Sequence, residues 1–452
     1  MFGRKPPAGP RGYPILGVLP MLRRDTLGFL QRTAREFGDL VPLPILMSTA
    51  FLLNHPSHVE HVLQTNYRNY RKAPMIDRLK PLFGEGLVTA QGEFWAKQRQ
   101  LIQPAFHRKK IEALVPVMVD VSRTHLDQWS SALGKGAEFN LSDDIANLTL
   151  ETVLRTMFTA GLGSARKEAS QALVLANEVI TKRVWNLTNV SSYFPTRKNR
   201  RFSAAVAMLH GIVERAIADR RLQDSFGDDL LGILLTAALG EKDEWMNEEL
   251  LRDEVITLML AGYESTATML TWAIFFLWQH PHYLERMRSE IDDVLRGVAP
   301  SPDNLGRLEF SRRVIQEVGR LRPSIWWFAR TAIADDVIGG QSIKAGTTVF
   351  ISQYLLHRLP EIWQDPERFD PDRFLPSEVM KRSKFAYLPF GAGPRTCIGS
   401  GFAMMEMQII LSLIYQRFDV DITSSADPEY GNFLSLRPNE DFRARIRPRL
   451  RH

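Results

Sequence analysis

The chain has 452 residues, and its hydrophobic content of 44% is enough to form a large buried core. The net charge is +6 and the isoelectric point is near 9.3, but no aromatic and basic motif accompanies this charge, so nucleic-acid binding is not expected. There is no apolar run of about eighteen residues and no signal peptide, so neither a membrane anchor nor secretion is expected.

In chain order, the residue patterns predict a mainly α protein with a small β region. Residues 1–22 are rich in proline and are predicted to be extended, and 40–53 is predicted to form a strand and turn. Helices are predicted at 27–37, 56–64, 94–105, 110–135, 142–160, 165–185, 200–223, 228–240, 247–279, 283–296, 312–321 and 401–417. Short strands are predicted at 330–352, a long coil at 359–390 and a hairpin at 430–448. Because no linker or repeat divides the chain, a single domain over 1–452 is expected.

The chain contains one cysteine, Cys397, which lies in a Gly-Pro-Arg loop just before a predicted helix. One thiol can form neither an internal disulfide nor a tetrahedral zinc site. A helix N-terminus stabilises a thiolate, which leaves a nucleophile or an axial haem ligand as the functional roles. A nucleophile needs a base, and the nearest upstream histidine is His357, although a base can also approach through space.

The neighbours of Cys397 favour haem. Phe390 offers an apolar wall, Gly393 and Gly399 leave room for a flat group, and Arg395 can meet an anion. Together they form Phe-x-x-Gly-x-Arg-x-Cys-x-Gly, which resembles the haem-binding signature of the cytochrome P-450 monooxygenases.

This resemblance extends over residues 9–446. It implies the cytochrome P-450 fold, in which haem lies between a long central helix and the cysteine-loop helix. It implies haem b as the cofactor and Cys397 as the ligand of its iron. The residues that it places in contact with the haem at this loop are Phe390, Gly391, Arg395, Cys397 and Gly399.

A second motif lies within the predicted helix 247–279. Gly262 costs a helix interior about 1 kcal/mol, Glu264 interrupts an apolar face, and the hydroxyls that follow can bond back to carbonyls and open the helix. A small-residue packing patch is the alternative. The segment resembles the family's Ala-Gly-x-acid-Thr-Thr, which implies that Ala261 lies beside the haem and that Glu264 and Ser265 relay protons to dioxygen. Serine replaces the family's threonine at 265, which puts the efficient coupling of electron supply to product formation in doubt. Thr266 is a candidate to share the proton relay.

Charged residues form a third constellation. Glu317 and Arg320 lie one helical turn apart, and a surface pair is the simple interpretation. The resemblance instead implies that Arg368 joins them in a buried charge network, which holds the coil beneath the cysteine loop. It leaves Arg373 in a surface turn.

Arginines for the haem propionates complete the site. Trp95 and Arg99 lie four residues apart on one helix, where a surface cation–π pair is the alternative. The resemblance implies that Trp95 and Arg99 bind one propionate and that Arg330 and Arg395 join them at the propionates, where the three arginines use their planar guanidinium groups. His357 is expected to be structural or adjacent to a propionate.

The resemblance implies a soluble, cytoplasmic, bacterial-type and monomeric monooxygenase. It would insert one oxygen atom from O2 into a lipophilic small molecule, namely a terpenoid, steroid, fatty acid or polyketide. Because the sequence contains no flavin or iron–sulfur module, electrons are expected from a ferredoxin or flavodoxin plus a reductase. Substrate contacts are expected from 74–90, 180–204, 256–268, 323–330 and 430–436. Among the apolar and aromatic residues of these segments are Leu87, Val88, Trp185, Phe433 and Leu434.

Three other functions stay open at this stage. A peroxide-driven peroxygenase of the same fold is disfavoured because such enzymes typically lack the acid–alcohol pair of Glu264 and Ser265. The same pair argues against a haem sensor without turnover. A hydrolase with a thiol nucleophile at Cys397 is the third alternative.

Overall fold

The computed structural model of this chain describes residues 8–132, 138–158, 165–184, 194, 196–223, 226–227, 229–239, 246–424, 435–438 and 442–449. The α-helices of this part are Leu19–Arg24, Thr26–Phe37, Pro56–Glu60, Lys80–Phe83, Gly92–Ile102, Arg108–Ala113, Val115–Ala132, Leu141–Met157, Ala165–Val184, Arg197–Arg221, Leu230–Leu239, Glu248–Gln279, Pro281–Leu295, Pro302–Leu305, Glu309–Leu321, Gln353–Leu356, Pro376–Val379 and Ser400–Arg417. The strands are β1 (Leu40–Ile45), β2 (Ser48–Leu53), β3 (Tyr70–Lys72), β4 (Phe139–Asn140), β5 (Phe328–Ala332), β6 (Asp336–Ile338), β7 (Gln341–Ile343), β8 (Thr348–Ile351), β9 (Phe418–Ile422) and β10 (Arg443–Pro448).

The described residues fall into two compact units. The first unit contains those of 8–74, 316–397 and 435–436, and the second contains those of 75–315, 398–424 and 437–449. Each unit is built from segments that lie far apart in the sequence. The expectation of a single domain over 1–452 therefore stays a prediction.

The first unit contains a mixed sheet. Its strand order is β1–β2–β8–β5–β3, in which β2 and β8 pair in parallel and the other neighbours pair antiparallel. Apolar side chains of the sheet pack with Trp363, Phe385 and Leu388 in one buried core. Leu388 precedes the cysteine loop by two positions, so the loop begins at the edge of a packed core.

The second unit contains the long helix, Glu248–Gln279. It begins at Asn247, whose side chain accepts a hydrogen bond from the Leu250 N–H at 2.9 Å. It ends before His280-Pro281, because proline lacks the N–H that would continue the helix. At about 1.5 Å per residue, such a helix is roughly 50 Å long.

A neighbouring helix, Leu141–Met157, packs closely against the long helix. A Cβ atom built at Gly262 would lie 2.9 Å from the Val153 side chain. The Thr149 hydroxyl donates to the Tyr263 carbonyl at 3.1 Å. Close helix packing therefore explains Gly262, as the small-residue alternative proposed.

The fold class is confirmed, because the chain is mainly helical with a small β region. Two local predictions were wrong. Residues 19–22, predicted to be extended, belong to the helix Leu19–Arg24. The helix predicted at 110–135 is interrupted at Leu114, just before Val115 and Pro116. The strand β10 pairs with β9, which directly follows the helix Ser400–Arg417. Residues 430–434 and 439–441 of the predicted hairpin lie outside the described part of the chain, so the hairpin stays a prediction.

None of the helices among the described residues is both long and apolar enough to span a bilayer.

Candidate active site

The thiol loop, residues 390–399, is held by hydrogen bonds within its own backbone. The Cys397 N–H donates to the Phe390 carbonyl at 2.8 Å, and the Thr396 N–H donates to the Gly393 carbonyl at 3.0 Å. The Thr396 hydroxyl donates to the same Phe390 carbonyl at 3.2 Å. Cys397 itself is exposed. The loop therefore presents the thiol on a fixed backbone instead of packing it as a core residue, the usual fate of a cysteine that forms no disulfide.

Glycines shape this loop for two different reasons. Gly391 and Gly393 have φ angles of +68° and +70°, which residues with a Cβ atom rarely adopt. A Cβ atom at Gly393 would also lie 1.9 Å from the Leu63 carbonyl oxygen. Gly399 has an ordinary φ of −87°, and the nearest atom to a built Cβ is 3.8 Å away in the Phe106 ring. The backbone does not require glycine at 399, which suits the expectation that it leaves room beside the thiol.

Two buried side chains fix the backbone that enters the thiol loop. The His357 Nε2 accepts from the Leu388 N–H at 2.8 Å, and the Gln353 amide donates to the Leu388 carbonyl at 3.1 Å. Because Nε2 accepts, the ring proton lies on Nδ1, which donates to the Arg320 carbonyl at 3.2 Å. Burial, with the nearby Arg320 and Arg358 guanidinium groups, lowers the pKa of His357 to about 3. This geometry supports the structural role of His357 over one beside a propionate, and it adds Gln353, which sequence analysis missed.

Arg330 and Arg395 come together in the first unit. Burial and the positive charge of Arg395 lower the pKa of Arg330 to about 10. Burial also lowers the pKa of Arg395 to about 10, although Tyr67 opposes the shift. Arg330 donates to the Ala329 carbonyl at 3.0 Å and lies 4.9 Å from the Phe328 ring centre. Two crowded guanidinium groups repel each other, and a pair of carboxylates would relieve the repulsion.

The predicted buried charge network exists around Glu317 and Arg320, whose side chains are both fully buried. Two Arg320 nitrogens donate to the two Glu317 oxygens at 2.7 Å each. The same guanidinium donates to the carbonyls of His357 and Arg368 at 3.0 Å and to that of Pro366 at 2.5 Å. Arg320 therefore joins the helix Glu309–Leu321 to three backbone carbonyls between 357 and 368, as the resemblance implied.

The second arginine of this network is Arg373, and the assignment of Arg368 was wrong. The Arg373 Nε lies 3.5 Å from the Glu317 Oε1, and its side chain is 12% exposed. Arg368 is exposed, and its backbone carbonyl supplies its bond to Arg320. Arg373 also donates to the Asp365 carbonyl at 2.9 Å. Burial selects Arg373, because a guanidinium that is shielded from water interacts more strongly with the carboxylate.

Trp95 and Arg99 lie on the helix Gly92–Ile102 in the second unit. Trp95 is buried and Arg99 is half-buried. Between them, the fully buried Gln98 donates to the Glu85 carbonyl at 2.7 Å, which fixes this face of the helix. Their contact with a propionate stays a prediction.

The hydroxyls of the long helix form the predicted bonds without opening the helix. Ser265 donates to the Ala261 carbonyl at 2.9 Å, and Thr266 donates to the Gly262 carbonyl at 2.8 Å. The helix nevertheless continues unbroken through this region. Ala261 is exposed and Ser265 is partly exposed, whereas Thr266 is only 2% exposed. Of the two candidate alcohols, Ser265 is therefore the more accessible.

Glu264 has a partner that sequence analysis missed. Asn177, on the helix Ala165–Val184, donates from its side-chain amide to the Glu264 Oε2 at 2.5 Å and lies 3.1 Å from the Tyr263 hydroxyl. The bond holds the acid through a neutral amide. Asn177 lies 87 positions from Glu264, and no local pattern marks it.

Part of the expected substrate region lies outside the residues that the structure describes. Trp185, Phe433 and Leu434 are not among the described residues. In the described segment 84–90, the Glu85 N–H donates to Asp253 and the Leu87 N–H donates to Glu254, each at 3.0 Å. Two carboxylates of the long helix therefore fix the segment that carries Leu87.

Comparisons with known proteins give a consistent result. The family model described as "Cytochrome P450" matches residues 7–442. Cyclooctat-9-en-7-ol 5-monooxygenase of Streptomyces melanosporofaciens is 35% identical over 90% of this chain and 88% of its own. Pentalenene oxygenase of Streptomyces avermitilis is 31% identical over 92% of each chain. The crystal structure of the cytochrome P450DA heme domain matches 98% of each chain with a TM-score of 0.88 and 29% identity.

Proposed function

This chain belongs to the cytochrome P450 family and is a monooxygenase that uses haem b, and from that premise we propose that it oxidises a lipophilic cyclic terpenoid with electrons from a separate redox protein. The observation that carries the proposed substrate class is the 35% identity over 90% of the chain to a relative named for oxidising cyclooctat-9-en-7-ol. A second relative of similar coverage is named for pentalenene.

The residues of the thiol loop fit a haem. Cys397 is exposed on a fixed backbone. The backbone conformation at Gly399 would accept a side chain, so glycine at this position suits the room that a haem needs. We assign Cys397 as the iron ligand and Phe390, Gly391 and Gly399 as its surroundings. When bound, the haem supplies dioxygen activation and the transfer of one oxygen atom to the substrate.

Crowded guanidinium groups support the assignment of the propionate site. Burial lowers the pKa of both Arg330 and Arg395, and the charge of Arg395 lowers that of Arg330 further, so carboxylates bound here would stabilise both positive charges. We assign both to the propionates, together with Trp95 and Arg99 of the second unit. The planar guanidinium groups of Arg99, Arg330 and Arg395 suit carboxylates better than the point charge of lysine would.

Proton delivery is assigned to Glu264 and Ser265 on the long helix, with Ala261 adjacent. Ser265 is the better alcohol, because its hydroxyl is partly exposed whereas that of Thr266 belongs to a buried residue and is bonded within the helix. To donate elsewhere, the Ser265 hydroxyl has to leave the Ala261 carbonyl. Asn177 holds one oxygen of Glu264 in place for the transfer.

The redox partner is proposed to be a ferredoxin or flavodoxin with its reductase, and an acidic surface would suit the net charge of +6. The exposed residues 107–110 carry the cations Arg108, Lys109 and Lys110, of which Arg108 donates to the Glu112 carboxylate at 2.7 Å. The second basic run, 381–384, is less available because Arg382 stacks on the Trp363 ring at 4.2 Å. Docking charge is therefore assigned to the first run.

A spectral titration tests the substrate class. Cyclooctat-9-en-7-ol and pentalenene are added to the haem-loaded protein, with a straight-chain fatty acid as the comparison. We expect a shift of the haem to high spin, at concentrations about 10-fold lower for the cyclic compounds, and hydroxylated product with a surrogate ferredoxin and reductase. Equal or tighter binding of the fatty acid, or no shift with any compound, contradicts the proposal.

A further inference from the structure

Two neighbouring turns of the first unit expose apolar side chains to solvent. The first turn covers residues 13–17 and the second covers 45–48. Their exposed fractions are 56% for Tyr13, 79% for Ile15, 45% for Leu16, 50% for Leu46 and 98% for Met47. We call these five residues the apolar tip. Single exposed apolar residues are ordinary, but a group of five at one place is not.

Backbone hydrogen bonds place the two turns side by side. The Val18 N–H donates to the Pro44 carbonyl at 2.7 Å, and the Leu46 N–H donates to the Leu16 carbonyl at 3.4 Å. Gly17 forms an isolated antiparallel bridge with Ile45. The five side chains therefore belong to one surface feature.

Backbone strain marks the apolar tip as more than an accident of composition. Ile15 and Leu46 have φ angles of +66° and +53°, the left-handed region that β-branched and bulky residues seldom occupy. Glycine or asparagine would satisfy both turns at lower cost. Strained positions that keep an unsuitable residue are typical of functional surfaces.

The charge around the apolar tip is positive. The described residues 8–24 contain three arginines and no lysine or acidic residue. Arg11, Arg23 and Arg24 are exposed. The next residue, Asp25, accepts from Arg32 at 3.2 Å and caps the helix Thr26–Phe37 through the Gly28 N–H at 2.9 Å. Asp25 and Glu36 line the same shallow cleft as Arg24 and Arg32, so carboxylates lie near Arg24.

We propose that the apolar tip inserts into the headgroup region of an anionic lipid bilayer, with Arg11, Arg23 and Arg24 against the lipid phosphates. Apolar groups flanked by cations bind such surfaces through burial and charge together. Tyr13 has the amphipathic ring that is enriched at membrane interfaces. Narrow turns with a side chain as exposed as Met47 suit insertion better than the broad contact that a stable protein interface needs. The interaction is peripheral and does not depend on the proposed substrate.

Vesicle flotation tests the proposal with the full, haem-loaded chain. The vesicles contain phosphatidylcholine alone, or phosphatidylcholine with about one-third phosphatidylglycerol, at low and high salt. The test variant is Ile15→Asn/Leu46→Asn, which removes apolar surface while suiting the left-handed turns. The matched control is Val337→Asn/Met380→Asn, whose side chains are 59% and 82% exposed elsewhere in the first unit. A third variant is Arg23→Gln/Arg24→Gln.

We expect the native chain and the control to float with the anionic vesicles in low salt. The Ile15→Asn/Leu46→Asn variant is expected to partition at least about 10-fold less while its thermal midpoint is unchanged or higher, because asparagine tolerates a positive φ. Arg23→Gln/Arg24→Gln is expected to weaken binding and its salt dependence. The proposal is overturned if the native chain floats with neither vesicle, or if the asparagine variant floats equally well. A concentration-dependent dimer that the asparagine variant abolishes would assign the apolar tip to a second copy and also overturn it.

Discussion

Cys397 combines an exposed thiol with a backbone N–H that is bonded to Phe390. The loop around it cannot relax easily, because Gly391 and Gly393 adopt positive φ angles and Gly393 contacts Leu63. Two positions before the loop, the Leu388 N–H donates a hydrogen bond to the neutral His357 ring. A thiolate ligand needs this rigidity, since hydrogen bonding and orientation around a ligating group tune the metal that it binds.

Asn177 provides a test of proton delivery at the residue scale. Asn177→Leu removes the amide that donates to Glu264, and we expect kcat and the fraction of electrons recovered in product to fall about 10-fold with little change in KM, a small part of the ~10²–10⁴ that positioned proton transfer contributes. The control is Gln171→Leu, an exposed amide on the same helix. Steady-state turnover with product analysis gives both quantities. If the two variants behave alike, Asn177 has no part in proton delivery.

Glu406 provides a prediction about pH. It is fully buried on the helix Ser400–Arg417, and burial raises its pKa well above the usual value, with the Thr152 hydroxyl opposing the shift only in part. The unfolded chain ionises this carboxyl above about pH 4.5 while the folded chain keeps it protonated, so its contribution to stability falls as pH rises. Replacement of Glu406 by glutamine removes this loss of stability at rising pH. We expect Glu406→Gln to gain stability over the native chain by up to about 1.4 kcal/mol per pH unit above pH 4.5, until the folded pKa is reached.

Urea unfolding from pH 4.5 to 8 measures this difference. Glu168→Gln, which changes an exposed carboxyl, is the control and should show a nearly constant difference from the native chain. A Glu406→Gln difference that does not grow with pH would mean that Glu406 ionises normally in the folded state.

Residues far apart in the sequence were the hardest to predict. Cys397 and its glycines form a compact motif, so local sequence was sufficient to propose the loop. Asn177 and Gln353 act through hydrogen bonds to Glu264 and Leu388, which lie 87 and 35 positions away, and nothing beside them in the chain indicates these bonds. Pairings of this kind depend on the packing of whole helices.

At the scale of elements, the coil before the thiol loop explains why one arginine was assigned wrongly. Residues 365–369 are Asp-Pro-Glu-Arg-Phe and residues 370–374 are Asp-Pro-Asp-Arg-Phe, so the sequence repeats almost the same pattern. Either arginine matches the motif, and only the folded coil shows that Arg373 faces Glu317 while Arg368 is exposed. Strand pairing was ambiguous for a similar reason, because β10 carries no local signal that selects β9.

This repeat offers a matched pair of variants. Arg373→Met leaves the buried Glu317 with less opposing charge, and we expect the free energy of unfolding to fall by about 3 kcal/mol. Arg368→Met changes an exposed side chain whose carbonyl makes the structural bond, so the expected loss is within about 0.5 kcal/mol. Urea unfolding of both variants decides the assignment. A larger loss for Arg368→Met would restore the original interpretation.

For the whole molecule, composition and periodicity predicted the fold class, but the arrangement of the chain needed the structure. The first unit joins residues before 75 with residues after 315 through the β1–β2–β8–β5–β3 sheet. The parallel pairing of β2 with β8 connects strands nearly 300 positions apart, for which no periodic pattern gives a signal.

The most direct test of the central claim is the ferrous–carbon monoxide difference spectrum of the purified, haem-loaded protein. Thiolate ligation by Cys397 predicts the red-shifted Soret band that gives the family its name, and Cys397→Ser is expected to abolish this band and monooxygenation together while the protein stays folded. A folded, haem-loaded native chain without the red-shifted band, or a Cys397→Ser variant that keeps it, would contradict the account.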